Sequence, residues 1–323
     1  MMDRRAFLWG LTLGALAKPR AAEAQQTAKI FRVGVLGPTP INPTFFAAFK
    51  QELSQFGYSE GRNLVIEYRH GEGRLLAEFA AELVRLNVDV IFARGPAAVT
   101  AVNNATHTIP MVALDLESDP VAMGFVRSLA QPAGNITGIF LDLPELSGKQ
   151  LQLLKEVVPQ LSRVAVLGDS VLNGPQIRAT ELAARALAMH LVILEVRTTS
   201  DFNRALEDAR KGQSRGVLLL SSPLVFAQRV QIGALAIERR LPTVSMFVEF
   251  AEAGGLMAYG PSVRETYRRC ASYVGKILQG TKPGVLPIER PERFELVINL
   301  RAAKALGLTI PQSILSRADR AIE

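Results

Sequence analysis

The chain has 323 residues, 48% of them hydrophobic and 21% charged, with Lys and Arg exceeding Asp and Glu by seven. That is the composition of an ordered protein with room for two domains, and it excludes a disordered chain. A single cysteine (Cys270) rules out an intrachain disulfide, three scattered histidines (His70, His107, His190) offer no metal-ligand spacing, and no run of 18 apolar residues exists, so neither a metal site nor a membrane-spanning helix is expected.

The N-terminus reads as a targeting segment. Arg4-Arg5-Ala6-Phe7-Leu8 leads into an apolar stretch that ends at Ala17, followed by Lys18, Arg20 and the small-x-small triplet Ala22-Glu23-Ala24. The twin arginine and the basic residues before the triplet have the order of a Tat signal, so residues 1–24 are read as a Tat-like signal peptide cleaved after Ala24. With no cysteine near that point, neither a lipid anchor nor direct membrane insertion is expected. Cleavage removes four basic and two acidic residues and leaves a net charge of +5. That excess is small. No helix-turn-helix pattern precedes the first strand and no aromatic-rich basic patch follows, so no nucleic-acid partner is expected.

From residue 29 onward, short apolar runs alternate with helical segments, the pattern of a parallel α/β sheet. Strands are predicted at 32–36, 64–69, 88–93, 111–114 and 136–140, then at 163–167, 191–197, 216–220, 243–247 and 256–259. Helices are predicted between them, among others at 45–56, 75–86, 146–157, 179–188 and 264–278. The two strand sets align. Arg32-Val33-Gly34-Val35-Leu36-Gly37 matches Arg163-Val164-Ala165-Val166-Leu167-Gly168 at an offset of 131, and Pro110-Met111-Val112 matches Pro242-Thr243-Val244 at 132. A nearly common offset in a common order predicts two lobes with the same βαβ wiring.

In open parallel sheets, ligands bind beyond the carboxyl ends of the strands. Four loops there join a capping or flexible residue to proline: Asn42-Pro43, Gly95-Pro96, Gly174-Pro175 and Ser222-Pro223. Each is predicted to open a helix, whose free N–H groups favour an anion by ~0.3–1 kcal/mol. The candidate ligand contacts of the first lobe are Thr39, Asn42, Arg94, Gly95 and Asp115. Those of the second are Asn173, Ser221, Ser222, Phe247 and Glu249, with Tyr259 at a crossover. Arg94 is read as a bidentate carboxylate partner, the alternative being a solvated loop side chain. Phe247 offers a stacking ring or a core ring, and Glu249 an amino-group partner or a surface carboxylate. Cys270 is read as a packed small hydrophobe.

Enzyme motifs are missing. There is no Gly-x-Ser-x-Gly and no Walker A loop, and Gly71-Glu72-Gly73 lacks the third glycine of a dinucleotide fingerprint. Asp115 and Glu117 could work as an acid–base pair, but with no nucleophile or metal beside them a solvated or structural role is expected. The chain is therefore expected to bind no cofactor and to catalyse no reaction.

Three stretches carry a family resemblance. Ser118-Asp119-Pro120-Val121 through Pro132-Ala133-Gly134-Asn135-Ile136-Thr137-Gly138 is similar to the ABC-transporter substrate-binding family that includes tryptophan/tyrosine-type binding proteins. So are Glu252-Ala253-Gly254-Gly255-Leu256-Met257-Ala258-Tyr259-Gly260-Pro261 and the tail from Phe294-Glu295-Leu296-Val297-Ile298-Asn299 to Ile310-Pro311. Asp115-Leu116-Glu117-Ser118-Asp119 is more acidic than the Gly-Asp that this family commonly places before the proline. The resemblance implies a type I periplasmic binding protein architecture: two Rossmann-like parallel-sheet lobes joined by three crossovers. It further implies a monomer in the periplasm that closes on a small amino-acid or aromatic-carboxylate solute and docks on an ABC permease of the inner membrane. A ligand-binding sensor module of the same fold, serving a membrane receptor, is the alternative, followed by an α/β enzyme.

The crossovers are expected near residues 139–143, near 259–262 and through 281–293, where Pro283, Pro287 and Pro291 favour an extended connector. The first lobe would then comprise residues 29–140 plus 262–284, and the second 141–261 plus 285–323.

Overall fold

A computed structural model describes residues 29–141 and 144–323. The targeting segment read at 1–24 lies outside the described residues, as do Asp142 and Leu143 of the first expected crossover.

The first lobe is a five-stranded, all-parallel sheet: β1 (Phe31–Gly37), β2 (Leu64–His70), β3 (Val90–Arg94), β4 (Met111–Asp115) and β5 (Ile136–Phe140), in the order β2-β1-β3-β4-β5. β3, β4 and β5 are buried along their whole length, as their unbroken apolar runs require. The edge strand β2 instead is buried only at Leu64 and Ile66 and is half-exposed or exposed elsewhere. Helix α1 (Pro43–Gln55) starts where the Asn42 side chain accepts the Thr44 N–H at 2.9 Å and Pro43 fixes the first turn. It buries Phe45, Phe46, Phe49 and Leu53, with Phe49 stacked on Phe92 of β3 at 4.9 Å between ring centroids. Helices α2 (Arg74–Arg85) and α3 (Pro96–Ala105) cover the opposite face.

The second lobe is a seven-stranded sheet. Its strands are β6 (Arg163–Gly168), β7 (His190–Glu195), β8 (Gly216–Leu219), β9 (Thr243–Ser245), β10 (Met257–Pro261), β11 (Phe294–Asn299) and β12 (Arg320–Ile322). They lie in the order β12-β11-β10-β9-β8-β6-β7, parallel throughout except for the antiparallel pair β10–β11. The helices on this sheet include α4 (Leu146–Val157), α5 (Gly174–Ala186), α6 (Asp201–Lys211), α7 (Pro223–Ala227), α8 (Arg229–Glu238) and α9 (Val248–Glu252). α5 begins five residues before the predicted start, and its cap is Asn173 rather than Gly174, so that Pro175 sits at the second helical position.

The chain passes between lobes three times. β5 leads through residues 141–145 into α4. β10 leads through Ser262 into α10 (Val263–Leu278), which returns to pack on α1 and on β3 to β5 of the first sheet. After α10 a 3-10 turn (Pro283–Val285) leads to a segment that still belongs beside β5. Glu289 bridges to Ile139, Thr137 donates its hydroxyl to Leu286 O at 2.9 Å, and Tyr273 donates to Pro287 O at 2.6 Å. The third crossing thus falls after Glu289, a few residues beyond the expected 284/285 boundary, because these bonds tie residues 286–289 to the first sheet.

Strand order reverses between β1 and β3 in the first sheet and between β6 and β8 in the second. Those are the two places where the loops beyond an open sheet splay apart and leave a crevice. One apolar cluster runs from the first lobe to the second past these points, through Phe45, Phe247 and Tyr267.

Candidate functional site

Arg94 is the last residue of β3 and follows four fully buried residues, which hold its backbone rigid. Its side chain is only 8% exposed, so it is not the solvated loop residue of the alternative reading. The guanidinium donates from Nη1 to the Tyr267 hydroxyl at 3.0 Å and from Nη2 to Thr39 O at 2.8 Å. Nε is buried with no partner. Gly37, at the end of β1, leaves the room for it, since a Cβ there would lie 2.5 Å from Nη2. Among the described residues no carboxylate lies within ion-pair distance of Arg94, although a buried charge is costly unless paired.

At the end of β4, Asp115 is fully buried. Its Oδ1 accepts the N–H groups of Glu117 and Ser118, both at 3.0 Å, while Oδ2 has no partner. These two bonds curl residues 116–118 back over the strand end and send Glu117 toward the second lobe, where the Ser221 hydroxyl donates to its Oε1 at 2.6 Å. Burial, and then the neighbouring Asp115 carboxyl, push the Glu117 carboxyl up to about 8. Burial raises Asp115 as well, against the bonds it accepts, so the pair holds a proton at neutral pH.

The second lobe contributes apolar surface. Ser222 caps α7 by accepting the Val225 N–H at 3.0 Å, and Pro223 and Phe226 of that short helix face the first lobe. Phe226 meets Phe247 edge-on at 5.0 Å, and Phe45 of α1 at 5.6 Å. Gly95, with φ at +81° before α3, brings the backbone so close that a Cβ would lie 3.2 Å from Pro223. The resulting cleft holds about 580 Å³ of atom-free space, its mouth included. It is lined by Thr39, Asn42, Arg94, Gly95, Leu114, Leu116, Glu117, Pro223, Phe226, Phe247, Val263 and Tyr267, with Pro38 and Pro40 at the rim. A lining that is mostly apolar with a few convergent polar groups suits a small organic ligand.

The structure brings Thr39, Asn42, Arg94, Gly95 and Phe247 of the predicted set to this one cleft. Asp115 lies beneath it and acts through Glu117. Ser221 reaches it through its bond to Glu117, and Ser222 through the helix it caps. Asn173 does not line it: fully buried, it accepts the Asp169 N–H at 3.0 Å and donates to Ser221 O at 2.7 Å, which fixes the loop after β8. Tyr259 turns away to pack on Phe294 at 6.1 Å, because alternation along β10 points it into the second sheet's own core. Glu249 is neither a surface carboxylate nor a cleft residue. It is 6% exposed on α9, its Oε2 has no partner, and burial pushes its carboxyl up to about 7.

Glu117, Phe226, Val263 and Tyr267 were not in the predicted set. Val263 and Tyr267 stand four residues apart on α10 and so share a face. The sequence carries that signal, but not which lobe the face meets.

The sequence matches the family of ABC transporter substrate binding proteins over residues 44–322. A tyrosine-binding protein of Clostridioides difficile (strain R20291) is 23% identical over 266 residues, which span 80% of this chain and 75% of that protein. A conserved domain protein from Vibrio cholerae O1 biovar El Tor is 27% identical, with a TM-score of 0.81 over 91% of this chain and 100% of its own. The ABC domain in complex with L-Trp from Streptococcus pneumoniae is 20% identical, with the same TM-score of 0.81 and the same coverage of both chains.

Proposed function

We propose, from the premise that this chain belongs to the ABC transporter substrate-binding protein family, that it is the periplasmic receptor of an importer. It would hold a small carboxylate-bearing solute between its lobes and present it to the permease. The family is one of solute binding, not of catalysis. The two lobes would turn about the three crossovers and close on the ligand, a population shift driven by the contacts that only the closed form makes. Export would follow from the signal at residues 1–24, with the mature protein acting as a monomer.

The observation that carries the reading is Arg94. A nine-tenths buried guanidinium with no carboxylate partner among the described residues stands at the strand-order reversal of the first sheet, in a cleft walled by Phe226, Phe247 and Tyr267. A ligand carboxylate would complete it, and the rings would take an apolar or aromatic body. An aromatic amino acid or aromatic carboxylate fits both demands, and a tyrosine-binding protein and a structure in complex with L-Trp among the similar proteins support the choice.

Calorimetry on the mature protein with L-tyrosine, L-tryptophan and aromatic carboxylates tests it. Truncating one member of a desolvated charge pair costs ~2–5 kcal/mol, so Arg94→Ala is expected to weaken binding roughly 30- to several-thousand-fold. A loss below threefold removes Arg94 from the site.

A further inference from the structure

We propose that Asp115, Glu117 and Ser221 form a proton-dependent latch between the lobes: the closed form takes up a proton on the Asp115–Glu117 pair, so that closing is favoured in acid and weakens as pH rises. The latch rests on the reading that the two lobes open and close, and it holds whatever solute the cleft takes.

The Ser221 hydroxyl donates to Glu117 Oε1 at 2.6 Å, from one lobe to the other and across 104 residues of chain. Each end is held by its own lobe. On the first, Asp115 Oδ1 accepts the N–H groups of Glu117 and Ser118, both at 3.0 Å. On the second, Asn173 donates to Ser221 O at 2.7 Å, and Gln176 Oε1 accepts the Ser221 N–H at 3.3 Å. The two ends are thus placed before they meet, and little freedom is lost when they do. The cleft around them is apolar, with Leu114 and Leu116 from the first lobe and Pro223, Phe226 and Phe247 from the second.

Two carboxyls so close in such surroundings cannot both ionise, so one proton stays on the pair while the lobes are together. Among the described residues no cation takes its place. Arg94 of β3 gives its bonds to the Tyr267 hydroxyl and to Thr39 O. Tyr267 of α10 is the other ionisable group facing the cleft, and α7 presents only Pro223 and Phe226. Behind Ser221, α4 and α5 present Ser147, Gln150 and Gln176, none of which titrates. Burial, and then Asp115, hold the Glu117 carboxyl up at about 8. Parting the lobes removes Ser221 and the apolar wall of the second lobe and lets water reach Glu117, which falls back toward its usual 4.5. Asp115 stays covered at the end of its own strand. The closed form therefore holds the extra proton between those two values. Its ratio to the open form is greatest in acid, falls by up to about tenfold per pH unit within that window, and is level above about 8.

The test places spin labels on two exposed residues, through Leu75→Cys and Val171→Cys, beside the groove that Leu76 and Leu172 line between the lobes. The buried Cys270 takes no label. Double electron–electron resonance reads the distance between the labels at pH 5, 6, 7, 8 and 9, without solute and with saturating L-tryptophan, whose own charges do not change from pH 5 to 8. Calorimetry with L-tryptophan at pH 7, in phosphate and in imidazole, counts the protons taken up. The closed share without solute is expected to fall from pH 5 to 8 and to level off by pH 9. Binding is expected to take up as much as one proton at pH 7 and to weaken by threefold to about a hundredfold from pH 6 to 8. Glu117→Gln keeps an acceptor for Ser221 and cannot ionise, and it is expected to remove both the pH response and the proton uptake. Ser221→Ala keeps the carboxyl pair and is expected to lower the closed share by about two- to tenfold at pH 6. The distances without solute decide the latch even where L-tryptophan fails to bind, a failure that counts against the aromatic solute alone. Distances and affinity that both stay level from pH 5 to 8, or a pH response that persists in Glu117→Gln, overturn the latch and leave closing on a solute standing. Distances that answer to neither pH nor solute overturn both.

Discussion

Replacing Gly37 by alanine isolates the placement of Arg94 from its presence. The backbone at Gly37 is outside the left-handed region, so alanine fits the local conformation. The three nearest obstacles to its Cβ all belong to Arg94: Nη2 at 2.5 Å, Cζ at 2.7 Å and Nε at 2.9 Å. Ordinary contact needs ~3.5 Å, so the guanidinium must retreat by roughly 1 Å. Its bonds of 2.8 Å to Thr39 O and 3.0 Å to the Tyr267 hydroxyl would then exceed hydrogen-bond length. The displaced group is the end of a flexible side chain, so the fold absorbs the change at a cost of ~1–3 kcal/mol. Affinity should suffer more sharply. A misplaced guanidinium keeps its charge but loses its aim, and half of a ~2–5 kcal/mol charge pair corresponds to about 6- to 70-fold in Kd. Thermal unfolding and calorimetry on the same sample separate the two effects. A folded Gly37→Ala protein that binds within threefold of wild type would refute the claim that the cleft depends on the position of Arg94.

Two further outcomes concern stability. Gly138 on β5 has φ at +138°, and a Cβ there would lie 2.5 Å from Ala113 N and closer still to Ala113 O on β4, so Gly138→Ala should cost at least ~3 kcal/mol in urea denaturation. A loss under ~1 kcal/mol contradicts the packing of β4 on β5. Glu249 has a raised carboxyl, about 7 in the folded chain against the usual 4.5, so the folded state binds the extra proton and wild-type stability falls as pH rises through that window. Glu249→Gln should therefore gain on wild type by an amount on the order of 1–3 kcal/mol at pH 8 and by nothing near pH 4.5, and a pH-independent difference between the two denaturation curves excludes the assignment.

The strands were legible because buried parallel strands are written as unbroken apolar runs: Val90 to Ala93 and Val164 to Leu167 admit little else. Asn42-Pro43 and Ser222-Pro223 announced their helices for a local reason, a side-chain cap beside a residue with fixed φ. Arg94 stood out as a cation at a strand end before Gly95-Pro96, and the structure puts it in the cleft. What stayed hidden depends on distant pairings. Tyr267 meets Arg94 across 173 residues of chain, and nothing local to α10 says which sheet it returns to. The antiparallel β11 follows a proline-rich connector whose direction is set by the β10 edge it joins. Glu117 reads from sequence as a solvated or structural carboxylate beside Asp115, because the N–H bonds of Glu117 and Ser118 to Asp115 that swing it toward Ser221 are not visible as a spacing. Glu249 reads as a cleft or surface carboxylate because it follows a strand end, and its burial on α9 comes from tertiary packing that no local spacing reveals.

Affinity and closure come from one arrangement in this reading. A ligand moves a two-state equilibrium only by what it gains in one state over the other, and taking a closed form from 1% to 99% requires ~5.5 kcal/mol of such difference. Apolar rings alone supply little of it, since they would shelter from water by meeting one another, as Phe45 and Phe226 do here at 5.6 Å. The polar residues are different. In an open cleft water can solvate the Arg94 guanidinium. In a closed, empty one it is left with the Tyr267 hydroxyl and the Thr39 carbonyl and no opposite charge, a condition that penalises closing without a ligand. A bound carboxylate removes that penalty in the closed state alone, and a desolvated pair worth ~2–5 kcal/mol provides much of the required difference. The bond from Ser221 to Glu117 joins the lobes with or without a ligand, so it favours closing in both cases and offsets part of that penalty. If the lobes close as proposed, the absence of a carboxylate partner for Arg94 among the described residues would make closure conditional on the solute, and a carboxylate engineered into the cleft beside it would favour closure while blocking binding.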